Sequence, residues 1–305
     1  MGEVAQSFIA QESQGTVRLI ANQCNEGDAH EYCLKEQEVR EATCHSCRRL
    51  RIKLRDAMQK PNDLAFYDLS ADQWWSETAK IYALHHLNAP RFEYFDRHIP
   101  SWEGLKVLDV GCGGGFSCEF LAQRGAIVSG IDQSRNCIAK AQEHAQSNQL
   151  AIAYQHGYAE ALPYSDHAFD IVICVDVLEH VDDLKQTITE IHRVLKPGGT
   201  FCFDTINRTL KSKLIMIWLL ENILREIPTG IHDWQKFIQP QELSALMRSH
   251  RFAEMEIKGF NIFGETVLDN LAAYWHYRQT KGFQISINED TSVMYIGKAK
   301  KAIAF

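Results

Sequence analysis

The sequence predicts an α/β fold built on a mostly parallel sheet, and three observations predict it. Short apolar runs alternate with helical patterns between about residues 104 and 205, the arrangement of successive βαβ units. Within that stretch Val107-Leu108-Asp109-Val110 runs straight into Gly111-Cys112-Gly113-Gly114-Gly115, and a helical pattern opens at Phe116. This reads as a buried strand, a tight turn and a helix N-terminus, where free backbone N–H groups and the helix dipole favour the anionic end of a ligand. A second apolar run, Ile127 to Ile131, ends in Asp132, at the distance where an acid accepts hydrogen bonds from ribose hydroxyls.

The bulk numbers exclude several classes. The 305 residues suffice for one large α/β domain with additions. A net charge of −7 disfavours a general nucleic-acid footprint. No apolar run is long enough to span a bilayer, and the N-terminus lacks the basic and apolar blocks of a signal peptide. Gln6 stands where a myristoylation signal wants Ser or Thr. Nine scattered cysteines point to a reducing cytoplasm with mostly free thiols.

Residues 1–60 read as an extension separate from a domain over 61–305. They are polar and carry Cys24, Cys33, Cys44 and Cys47. Cys44-His-Ser-Cys47 has the spacing with which two thiolates bind one metal. Cys24 and Cys33 are too far apart for a second such pair, so zinc on the four cysteines and free or redox-paired thiols both stand. Arg48 to Arg55 holds five cations in eight residues, a solvated basic face or a contact for an anionic membrane surface or nucleic acid.

The remaining elements follow in order. Residues 61–102 are aromatic-rich, with Phe66-Tyr67-Asp68, Trp74-Trp75 and Leu84 to Arg91; Pro90 predicts a helix boundary. A helix is expected over 116–124, and Ser134 caps another to about Ser147. Ile152 to Tyr154 reads as a third strand. Phe169 to Cys174 reads as a fourth, delivering Val175-Asp176-Val177-Leu178-Glu179-His180-Val181 to the carboxyl edge, where ligands of open α/β sheets bind. Leu195-Lys-Pro-Gly-Gly199 turns into a fifth strand, Thr200 to Asp204. Leu214 to Ile227 is an apolar helix candidate, a buried lid or a segment resting on a membrane surface. A helix and strand fill 241–258, and Phe283–Ile287 with Thr291–Ile296 read as a closing hairpin.

Asp176, Glu179 and His180 stand at i, i+3 and i+4. On a helix they share one face. Two carboxylates and an imidazole can hold a divalent ion there. Without an ion, His180 can act as a general base.

Which ligand does the glycine turn take? Phe116 occupies the place where a dinucleotide fingerprint needs Gly or Ala, and no Gly-Lys-Ser/Thr follows for a P-loop. The D-x-G-C-G-x-G pattern of Asp109 to Gly115 resembles the first motif of class I S-adenosylmethionine (SAM) methyltransferases. The Trp74-Trp75 pair, the Leu84 to Arg91 string, Asn207 to Ser212 and His232-Asp-Trp-Gln-Lys-Phe-Ile238 resemble the ubiquinone-biosynthesis O-methyltransferases. That resemblance covers about 62–300. It implies a Rossmann-like, mostly parallel seven-stranded sheet with a C-terminal antiparallel hairpin and a lid around 207–238. It implies SAM bound by Asp109, Gly111, Gly113, Asp132, Ala159 and Val175, with Arg91 on its carboxylate. Tyr158 replaces the acid that meets the adenine amine in many such enzymes. The family's E-x-x-E-H motif holds Mg²⁺, which places a divalent ion on Asp176, Glu179 and His180, with Glu179 and His180 catalytic. The acceptor is then the phenol or catechol hydroxyl of a lipophilic, prenylated quinone precursor, methylated in the cytoplasm with contact to the membrane surface. Two alternatives remain: a SAM methyltransferase with another acceptor, and a metal- or redox-binding N-terminal module carried on a methyltransferase scaffold.

Overall fold

The computed structural model describes residues 62–262, 267–280 and 285–303, with the backbone of three strands nearer the N-terminus. The chain divides into two compact units, Met1–Lys60 and Pro61–Phe305. In the first, β1 (Phe8–Ser13), β2 (Thr16–Ala21) and β3 (Tyr32–Leu34) form an antiparallel sheet in that order. Cys24, Cys44, Cys47 and the basic run 48–55 lie outside the described residues, and of Cys33 only the backbone is described.

The second unit is organised by eight strands: β4 (Lys106–Val110), β5 (Ile127–Asp132), β6 (Ala153–His156), β7 (Phe169–Cys174), β8 (Leu195–Ile206), β9 (Phe252–Asn261), β10 (Ser286–Asn288) and β11 (Met294–Lys301). Their order in the sheet is β10-β9-β11-β8-β7-β4-β5-β6. Strands β4 to β8 pair in parallel, whereas β11 and β10 pair antiparallel to their neighbours. The expected class holds, a mostly parallel sheet closed by antiparallel strands. It has one strand beyond the seven expected. The two tail strands flank β9 instead of pairing with each other, and β10 adds a short edge.

Side chains alternate across each strand, and the alternation here divides the core in two. Val107, Ile171, Ile173 and Cys202 meet Phe92 and Phe95 of α2 (His85–Asp96) and Leu121 of α3 (Phe116–Ala122). Leu108, Val172, Phe201 and Phe203 meet Ile188 and Ile191 of α5 (Leu184–Val194) and Leu243 and Met247 of α6 (Pro240–Ser249). Each such side chain contributes about 1.5–3 kcal/mol by burial. Before α2 lies the short α1 (Ala65–Leu69), between α3 and α5 lies α4 (Arg135–Ser147), and α7 (Val267–Thr280) precedes β10.

Helix α2 runs through Pro90, where the sequence predicts a boundary. Proline removes one helical hydrogen bond. Packing outweighs that loss, because Leu87, Asn88, Arg91, Phe92 and Phe95 are buried on both sides of the proline. The apolar segment after β8 starts at Thr209, whose side chain and that of Ser212 form a reciprocal cap. It continues as a π-wound helix, Lys213–Ile223. Met216 and Glu221 are buried and Ile215, Ile217 and Leu220 pack on the core, while Leu214 and Trp218 are each 58% exposed. Among the described residues no helix is long and apolar enough to cross a membrane.

Candidate functional site

The sheet order reverses beside β4, since β5 lies on one side and β7 on the other. Such a switch point opens a crevice outside the carboxyl ends of the strands. A cavity of about 520 Å³ occupies it. The turn after β4, the end of β5, the loop after β7 and residues from 62 to 91 line it.

The turn after β4 requires glycine for two reasons. Gly111 and Gly113 have φ of +76° and +51°, a region that side chains disfavour. A Cβ on either would also collide, 2.3 Å from Val177 Cγ2 or from the Trp74 ring. The turn is thus sandwiched between the β7 loop and Trp74, and Trp75 Nε1 donates to the Gly114 carbonyl at 2.9 Å.

Asp132 closes the turn from the end of β5. Its carboxylate accepts the Gly113 N–H and the Ser134 N–H, each at 2.8 Å. Ser134 caps α4 by accepting the Cys137 N–H at 3.0 Å. Its hydroxyl also donates to Asp68 at 2.6 Å, and Asn136 Nδ2 donates to the other Asp68 oxygen at 2.9 Å. Asp68 therefore ties α1 to α4 across the cavity mouth. The sequence pattern around Asp68 gives no sign of this role, because both partners lie more than 60 residues away. Replacing Asp132 by alanine removes the clamp on the turn. SAM affinity should fall by about 1–3 kcal/mol, as for charge-assisted hydrogen bonds; calorimetry showing unchanged affinity would remove Asp132 from the site.

Asp109 is buried beneath the turn, and the Cys118 thiol donates to it at 3.3 Å. Burial pushes its pKa up to about 7. Ala159 and Val175 line the cavity, as does Tyr158 at the position where an acid is expected.

Arg91 is 2% exposed and lies at the cavity wall. Its Nε donates to Asp204 at 2.5 Å, its Nη2 to Asp176 at 2.6 Å and its Nη1 to Asn88 Oδ1 at 3.2 Å. Asp204 also accepts the Asp176 N–H at 2.8 Å. That bond helps hold Asp176 at φ +56°, a strained conformation for a residue with a Cβ.

The same φ overturns the one-face argument for Asp176, Glu179 and His180. Residues 176–180 form a bend and a turn, not a helix, so i, i+3, i+4 spacing does not gather their side chains. Asp176 is bonded to Arg91. Glu179 is 2% exposed, does not line the cavity, and accepts the Thr205 hydroxyl at 2.7 Å. Burial, then the Asp176 charge, pushes its pKa up to about 8. His180 lines the cavity, with Nδ1 2.8 Å from Asn62 Oδ1. The three side chains thus have three separate partners and do not gather at one ion position. Among the described residues no group of three or more His, Cys, Asp or Glu side chains is placed to hold a metal.

SAM fits better. Trp74 Nε1 and Asn88 Nδ2 are buried donors without a partner, and both residues line the cavity beside Arg91. A carboxylate would satisfy them. The wall carries Asp68, Asp132, Glu160, Asp176 and Asp182 against the single arginine, a field that favours a cation such as a sulfonium.

Comparison with known proteins agrees with this geometry. Residues 108–203 match the family model described as a methyltransferase domain. A ubiquinone biosynthesis O-methyltransferase from Alkalilimnicola ehrlichii is 36% identical over 225 residues, which are 70% of this chain and 91% of the relative. One from Roseobacter denitrificans is 38% identical over 211 residues, 66% and 85% of the two chains. Among solved structures, a SAM-dependent methyltransferase from Thermotoga maritima superposes with a TM-score of 0.53 at 19% identity, covering 78% of this chain and 98% of its own. A protein from Pyrococcus horikoshii gives 0.52 at 21% identity, covering 75% and 95%. These two show the shared fold.

Proposed function

Because this chain belongs to the ubiquinone biosynthesis O-methyltransferase family, we propose that it moves the methyl group of SAM onto a phenolic oxygen of a prenylated quinone precursor, with His180 taking the proton. The observation that carries the reading is a single cavity that joins the glycine turn, Asp132 and Arg91 to the edge of His180. Bound SAM supplies an electrophilic methyl on a positively charged sulfur.

The protein's residues do the rest. Gly111 to Gly115 and Asp132 place the nucleoside, and Ala159 offers backbone to the adenine. Arg91, with the spare amide N–H groups of Asn88, takes the methionyl carboxylate, while Val175 bounds the methyl end. A phenol is mostly protonated at neutral pH. His180 Nε2 accepts its proton as the O–C bond forms, and the electron pair of the broken C–S bond stays on sulfur. Holding the two reactants in line supplies most of the rate. No step runs through a divalent ion, because among the described residues Asp176, Glu179 and His180 do not gather at a metal position.

Residues 61–305 are the methyltransferase domain in this reading and 1–60 an extension, in keeping with the two compact units. Free buried thiols at Cys112, Cys118, Cys137, Cys174 and Cys202 suit a reducing cytoplasm. Exposed Leu210, Leu214, Trp218 and Ile223 on the lid suit a peripheral contact with the membrane that dissolves the acceptor. The test is transfer of labelled methyl from SAM to a catechol bearing a short prenyl chain, with mass spectrometry of the product, on the full chain and on a chain starting at residue 61. No product from either chain would refute the acceptor class.

A further inference from the structure

The base proposed above has a neighbour that fixes which of its nitrogens can act. Asn62 lies 118 residues before His180 and meets it twice. Its Nδ2 donates to the His180 backbone carbonyl at 2.9 Å, and its Oδ1 stands 2.8 Å from His180 Nδ1. The first contact orients the amide, because only an N–H can face a carbonyl. The second then has one chemical solution. An amide oxygen can only accept, so Nδ1 carries the proton and Nε2 of the neutral ring keeps its lone pair. Asn62 itself lines the cavity and has φ +65°, a conformation asparagine tolerates better than most residues.

From this geometry we infer that Asn62 is a positioning residue for methyl transfer, holding His180 in the Nδ1–H tautomer with Nε2 free to take the acceptor's proton. The inference rests on the reading of His180 as the base. It assigns to the segment before α1 a part in the chemistry as well as in covering the cofactor.

Other groups face the ring and bear on its titration. The His232 ring stacks on it, with centroids 5.4 Å apart and planes at 19°. His232 is in turn held through Nδ1 by the buried Glu221 at 2.6 Å. Tyr67 meets the His180 ring edge-on, centroids 6.3 Å apart. Lys236 donates to the His180 carbonyl at 3.2 Å and to Asp182 at 2.9 Å. Of the described neighbours, Asn62 supplies the hydrogen bond to a His180 ring nitrogen.

The experiment combines NMR of the full chain with kinetics on a catechol bearing a short prenyl chain. In the wild type, the ¹⁵N shifts of His180 should report the Nδ1–H tautomer. In Asn62→Ala the ring should populate both tautomers, and kcat should fall about 10–100-fold, less than the 10²–10⁴ that the base itself supplies, with SAM affinity unchanged. Asn62→Asp keeps an acceptor for Nδ1–H, so it should restore the tautomer and part of kcat. Its added negative charge favours the imidazolium, so the acid limb of kcat/KM should move to higher pH. An unchanged tautomer and unchanged pH profile in both variants would overturn the inference. If His180→Gln retains full turnover, the base reading fails instead, and the NMR result on Asn62 stands apart from it.

Discussion

Replacing His180 by alanine should lower kcat about 10²–10⁴-fold, the span assigned to a positioned general base. SAM binding should be little changed, because the glycine turn, Asp132 and Arg91 do not bond to this ring. Single-turnover transfer of labelled methyl gives the rate, and calorimetry gives the affinity. The pH profile is a second check. Burial, then the His232 and Lys236 charges, holds the His180 pKa well below the ordinary histidine range. A lowered pKa keeps the ring neutral, and so able to accept a proton, as pH falls below about 6.5. The acid limb set by this group should therefore lie below that value. A variant as fast as the wild type would leave the proton with another acceptor.

Replacing Arg91 by alanine should cost more than a binding contact. Asp204 is fully buried, and Asp176 meets the same guanidinium. Removing one partner of a buried ion pair costs about 3–5 kcal/mol, and urea unfolding should show a loss of that order, together with loss of SAM binding. The loss should depend on pH. Burial pushes the carboxyls of Asp109, Glu179 and Asp204 above the usual range. The folded wild type therefore holds protons on these groups that the unfolded chain releases above about pH 4–4.5, and their contribution to stability declines as pH rises from there to about 8. Without Arg91, Asp204 keeps its proton to still higher pH, so the variant should be least stable relative to wild type on the alkaline side. A uniform loss at all pH values, or none, would show that the pair is not ionised as drawn.

What could be read from the sequence was local. The glycine turn, Asp132 at the end of β5, the cap at Ser134 and the strand Phe169–Cys174 each depend on residues a few positions apart, so composition and period reveal them. What could not be read depends on partners distant along the chain. Arg91 reaches Asp204 over 113 residues, and Asn62 reaches His180 over 118. No periodicity announces such pairs. The spacing of Asp176, Glu179 and His180 misled for a related reason. It presumes a helix, and the tie from Asp204 to the Asp176 N–H helps hold the chain in a bend. The tail strand expected over Phe283–Ile287 lies at Ser286–Asn288, and its pairing with β9 in place of the strand that follows it is again a choice of distant partner.

The preponderance of acids around the cavity gives the reaction a direction of traffic. SAM arrives with one net positive charge and leaves, its methyl spent, with none. The wall of Asp68, Asp132, Glu160, Asp176 and Asp182 attracts the incoming molecule and has no such hold on the outgoing one. Exchange of used for fresh cosubstrate is thereby favoured by charge alone. Added salt should narrow the difference in affinity between the two.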